Sequence, residues 1–152
     1  MSYSAAALLI AALLAHSASA APLKLSQEQL LQFGLGDKIT LTEGKTPDGR
    51  PLHSGQSADG KAKLEIIGTK AVVEEATYSF PIPPDERQPD TETGQGFASN
   101  VFPRWYGVTE WYYQVVQESK TNPTVTMKRD KRVLTFKRDD AAGVITLHAV
   151  GE

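Results

Sequence analysis

Residues 124–150 read TVTMKRDKRVLTFKRDDAAGVITLHAV. Three runs rich in β-branched and aromatic residues, 124–128, 132–137 and 144–150, are separated by two short turns. Arg129-Asp130-Lys131 makes the first turn and residues 139–143, ending on Gly143, make the second. Such spacing predicts three antiparallel strands, because only hairpins are joined by so few residues. Alternation puts Ile145 and Leu147 inward on the last strand and Thr146 and His148 outward.

Upstream, residues 97–120 are ambiguous. Val108, Tyr112, Val115 and Val116 recur at helical spacing, yet the same stretch is rich in good strand formers. Pro103 and Gly107 interrupt any single long helix. The pattern predicts a short turn near 98–102 and a helix over 109–119, with Thr109 as its N-cap.

Further upstream, 38–43 and 61–67 alternate and are predicted strands, the first with Ile39 and Leu41 inward, the second with Ala62, Leu64 and Ile66. Residues 44–60 contain two Asp-Gly turns, Asp48-Gly49 and Asp59-Gly60, and are expected to form a loop holding His53. Residues 71–82 form a third extended run. Strict alternation there aligns Val72, Ala76, Tyr78, Phe80 and Ile82, with Glu74 intruding on the apolar face. A one-residue bulge would return Glu74 to water. A Pro-rich, charged loop is expected near 81–96. At the front, Ser26 and Gln29 have capping-box spacing ahead of Leu30 and Leu31, and Gly34 suits the helix end.

The expected fold is therefore α+β: an antiparallel sheet of about six strands, with a short N-terminal helix and one central helix packed on one face. A mostly β, barrel-like domain is the alternative if 109–119 is extended.

Residues 5–15 run AAALLIAALLA, followed by Ala18-Ser19-Ala20, although no Lys or Arg precedes the apolar run. This reads as a signal peptide at 1–20, cut after Ala20, and it is too short to span a bilayer. Residues 21–152 are then one small domain, secreted or periplasmic and with no transmembrane anchor. The chain has no cysteine, so stability must come from burial rather than disulfides. Sixteen Lys and Arg against eighteen Asp and Glu give a net charge of −2, which argues against a nucleic-acid partner.

Reactive motifs are sparse. No histidine pair has metal-ligand spacing, no glycine loop suits phosphate, and no cofactor or metal site is expected. Glu74, Glu110 and His53 are the candidates for a small carboxylate-dependent hydrolase. Aromatic residues are concentrated instead: Phe97, Phe102, Trp105, Tyr106, Trp111, Tyr112 and Tyr113 share one segment, which holds both tryptophans of the chain. The tail adds a basic hairpin with Lys128, Arg129, Lys131, Arg132, Lys137 and Arg138. The favoured expectation is an exported, non-enzymatic binding module. It would engage a protein, an envelope polysaccharide or a lipid headgroup through Arg104, Trp105, Tyr106, Trp111 and Tyr113. A secreted inhibitor or structural partner protein is the other alternative.

Overall fold

The structure is a computed structural model, and it describes residues 21–32, 34–83 and 93–152. The predicted signal peptide and residues 84–92 of the expected loop lie outside the described residues.

Among the described residues, seven strands form one antiparallel sheet: β1 Thr42–Lys45, β2 Pro51–Gln56, β3 Lys63–Gly68, β4 Val73–Pro81, β5 Thr124–Arg129, β6 Arg132–Asp139 and β7 Val144–Gly151. Their spatial order is β1-β2-β3-β4-β7-β6-β5. Two meanders thus meet where β4 pairs with β7, with Tyr78 opposite Leu147. Among the described residues, four helices accompany the sheet: α1 Gln27–Leu30, α2 Leu35–Lys38, α3 Gly94–Val101 and α4 Val108–Glu118. The broad α+β class and the antiparallel sheet match the sequence reading.

The count of six strands is corrected to seven, because β2 occupies what reads as a loop. Its two Asp-Gly turns are real, with Gly49 and Gly60 at positive φ, but they close hairpins on either side of a six-residue strand. Pro51 and Gly55 flank and interrupt its apolar pattern, which hid the strand. The first strand also starts later than predicted. Residues 35–38 form α2, so Ile39 is buried beside a helix rather than within a strand.

The single central helix becomes two. The turn expected near 98–102 is the end of the eight-residue α3, which lies on β4, β6 and β7. Gly94 is needed at its start, since a Cβ there would overlap the Tyr112 hydroxyl and the Phe80 ring. The helix predicted over 109–119 forms as α4, Val108–Glu118, one residue earlier at each end, so the condition for the barrel alternative is not met. Val108, Tyr112, Val115 and Val116 are its buried face, as the spacing predicts. Thr109 does not cap α4; its hydroxyl accepts a 2.7 Å hydrogen bond from Gln95 and ties α4 to α3.

The core lies between helices and sheet. Leu64, Ile66, Tyr78, Phe80, Leu134, Phe136, Ile145 and Leu147 face it from the strands, against Phe97, Val101, Phe102 and Tyr112 from the helices. Tyr78 stacks on Phe80 and Phe97, and Tyr112 meets Phe136 edge-on.

The N-terminal segment is tied to this core. Leu23 and Leu25 are buried, Leu25 bridges Val73, and the Gly151 N–H donates to the Ala21 carbonyl. Ser26 and Gln29 form the predicted capping box, and Gly34 takes positive φ between α1 and α2. Among the described residues, no helix is long and apolar enough to cross a membrane.

Candidate functional site

The predicted binding residues do not all converge. α3 ends at Phe102, and a compact turn through Pro103 and Gly107 leads into α4. The turn is held by Trp105 N–H donating to Phe102 O and Trp111 N–H donating to Gly107 O. Gly107 lets the Trp105 indole fold back across it, since a Cβ there would press on Nε1 at 2.8 Å. Trp105 meets Phe102 edge-on at 5.8 Å and Trp111 at 5.9 Å, and the Arg129 guanidinium sits 5.3 Å from its ring centroid. It is half-buried, so it is both structural and partly available.

Tyr106, by contrast, is 99% exposed, an unusual position for a large ring beside a packed cluster. Trp105 and Tyr106 together line a depression of about 390 Å³. Its other walls come from α1 and its flanks (Leu25, Gln29, Gln32), from α3 and its end (Ser99, Asn100, Phe102, Pro103) and from Val108 at the start of α4. None of the described residues that line it is charged.

Trp111, Tyr113 and Arg104 are placed otherwise. Trp111 meets the Trp105 ring, Tyr113 packs edge-on against Tyr112, and Arg104 is exposed on the turn itself. These three do not line the depression.

Asn100 is the residue that sequence reasoning missed. It is buried on α3, and its Nδ2 donates to the Leu30 carbonyl at 2.7 Å and the Gln32 carbonyl at 3.0 Å. Two carbonyl partners fix which end of the carboxamide is nitrogen. Its Oδ1 has no hydrogen-bond partner among the described residues. An unsatisfied buried acceptor costs about 1–3 kcal/mol, so a donor arriving there is favoured. Only an asparagine at an apolar helix position hinted at this.

Several cations of the basic hairpin are engaged by the fold, while Lys131 and Lys137 are exposed. Arg132 donates to three carbonyls, those of Leu23, Lys24 and Val101, and so straps the N-terminal segment and the end of α3 to the sheet. Burial pushes its guanidinium below the ordinary value, with Asp130 opposing and Arg104 adding to the shift. Arg138 is buried and pairs with Asp140 at 2.8 Å, Lys128 pairs with Glu152 at 3.7 Å, and Arg129 covers Trp105. Asp130 and Lys131 both take positive φ at the tip, as a tight hairpin demands.

The hydrolase candidates are scattered. Glu74 is the bulge residue: Ile67 pairs with Glu75 and Gly68 with Val73, leaving Glu74 unmatched and ion-paired to Arg50 at 3.3 Å. The same bulge turns Val73 inward and leaves Val72 47% exposed. Glu110 is exposed in the first turn of α4. His53 is buried on β2, with Nε2 3.9 Å from Glu43 and no partner for Nδ1 among the described residues. No hydrogen bond or ion pair among the described residues joins these three.

A different group meets on the open face of the sheet. The Thr77 hydroxyl lies 2.9 Å from His148 Nδ1, and His148 Nε2 lies 3.4 Å from Glu75. This is hydroxyl, imidazole and carboxylate in contact, the residue types of a nucleophile system. It sits on the two central strands, where backbone N–H groups are already in the ladder and cannot hold an oxyanion.

A larger, mostly apolar depression of about 720 Å³ lies at the other end, lined by Ile39, Tyr78, Phe80 and Ile82 with Asp37, Lys38, Asp59 and Lys61 at its rim. Pro83 and Thr93 also line it. Among the described residues no cluster of His, Asp and Glu could hold a metal ion. No family model, curated protein or solved structure matches this chain.

Proposed function

We propose that the protein is an exported, non-enzymatic binding module that engages a component of the cell envelope through the depression between α1 and the α3–α4 turn. The observation that carries this reading is the pairing of a supported indole, Trp105, with a fully exposed ring, Tyr106, on one concave wall. Rings presented at low entropic cost are effective binding groups. Export rests on the sequence of residues 1–20, with cleavage after Ala20. Supporting it, Ala21 is joined to β7 through the Gly151 N–H, so such a cut spares the contacts that hold the front of the fold.

Co-sedimentation with a washed cell-envelope fraction tests the reading. The chain starting at Ala21 is expected to pellet with the fraction, and Tyr106→Ala to remain in the supernatant. Equal pelleting of both proteins, or of neither, would refute it. Mass spectrometry of natively expressed protein tests export separately: a mature N-terminus at Ala21 is expected, and an intact Met1 counts against it.

A further inference from the structure

We infer that the depression takes a neutral oligosaccharide, with Tyr106 as the stacking platform and Asn100 Oδ1 as the polar anchor. This deepens the proposed function and rests on its choice of site. The first support is electrical. Ion pairs with a ligand need charged side chains, and none of the described residues lining this surface carries one. Phosphate-bearing lipids, uronate polymers and charged peptides therefore have no counter-ion in the described lining; Arg104, in the same turn between Pro103 and Trp105, is exposed and does not line it.

The second support is the type of polar group. Gln29, Gln32, Ser99 and Asn100 offer carboxamides and a hydroxyl, groups that match sugar hydroxyls as both donors and acceptors. Tyr106 has its ring in water, where the C–H face of a pyranose can cover it. Asn100 supplies direction. Its Nδ2 is committed to two carbonyls, so the carboxamide cannot turn, and its Oδ1 is left to accept from a sugar O–H or acetamido N–H. That oxygen is buried, so its use as an anchor requires the side chains over it to move aside.

Intrinsic fluorescence reads this directly, because the chain's two tryptophans are Trp105, on the wall, and Trp111, 5.9 Å behind it. The probes are cellotetraose and tetra-N-acetylchitotetraose, with tetra-alanine as the peptide comparator. A saturable emission change with at least one sugar is expected. Tyr106→Ala, an exposed position whose loss leaves the fold intact, should weaken it by about tenfold or more. Tyr113→Ala, outside the depression, should leave it unchanged.

No saturable response to either sugar, a response to tetra-alanine alone, or a sugar response equal in Tyr106→Ala and the parent would each overturn the inference. If Tyr106-dependent pelleting with the envelope survives while both sugars fail, the ligand class is wrong and the binding reading stands. If a sugar binds through Tyr106 but the envelope does not, the envelope target is wrong and the ligand class stands.

Discussion

On the open face of the sheet, His148 contacts both Thr77 and Glu75. Among the helices on the covered side, Trp105, Tyr106 and Asn100 enclose space, yet the described lining holds no charged group. The two groups therefore lie on opposite faces of the sheet; the open face has its own depression of about 460 Å³, whose Glu65 stands opposite Thr77 across β3 and β4. The reason lies in the two strands they share. Inward positions of β4 and β7, such as Tyr78, Phe80, Ile145 and Leu147, are apolar because helices cover them. Outward positions are Thr77, Ser79, Thr146 and His148, which satisfy one another across the ladder, with Ser79 and Thr146 3.1 Å apart. A polar contact on such a face is explained by cross-strand pairing alone. A depression built at a helix junction, over an unsatisfied acceptor, is not explained by packing.

The largest test of that contrast removes the support of the covered side. Phe102 is 1% exposed, lines the depression and buttresses Trp105. Phe102→Ala should cost roughly 3–5 kcal/mol in urea unfolding and abolish any sugar response. A cost below about 1 kcal/mol would mean that the wall is not anchored to the core.

Arg132→Met comes next. The methionine keeps the apolar stem but loses three bonds to the carbonyls of Leu23, Lys24 and Val101. Partial exposure screens the charge, so about 2 kcal/mol is expected rather than the sum of three buried charged bonds. Limited proteolysis should then cut first in the segment near Leu23. If cleavage elsewhere is faster, the strap is not what holds that segment down.

Most of the β-rich tail was legible because its turns are short and its alternation is clean. α4 was legible because Val108, Tyr112, Val115 and Val116 fit one helical stripe against competing strand propensity. β2 was not, since His53 and Gly55 stand where apolar residues would mark the inner face. α3 was hidden because Gly94 and Gly96 lower helix propensity, while close packing on Tyr112 and Phe80 demands the first of them. For the site, aromatic density pointed to the correct turn but could not separate Tyr106 from Trp111 and Tyr113. Those differ only in which element stands behind them. Asn100 was invisible because its value depends on two carbonyls about seventy residues away in sequence.

The open face offers a smaller and opposite test. Thr77→Val keeps the shape and removes the hydroxyl that meets His148. A loss of about 0.5–1 kcal/mol is expected, with no change in sugar response or envelope pelleting. Loss of binding in this variant would move the functional surface to the open face and break the contrast.

The smallest effect is expected at the edge of the sheet, in the turn between β1 and β2. The Thr46 hydroxyl hydrogen-bonds Asp48 and, with Arg50 beside it, holds that carboxyl below the ordinary carboxylate value, burial opposing only in part. A carboxyl with a depressed folded pKa adds stability above its unfolded value of about 3.9, and that contribution is lost as pH falls through the lower folded value. Asp48→Asn should therefore flatten the acid limb of stability against pH below about 4 and leave neutral-pH binding untouched. The carboxyl is exposed, so the change should show as a small shift of the acid midpoint rather than a lost transition. An acid limb identical in the two proteins would place the acid-sensitive contact elsewhere. The next carboxyls to test would be Asp59, held low by Ser57, and Glu43, held low by Lys70.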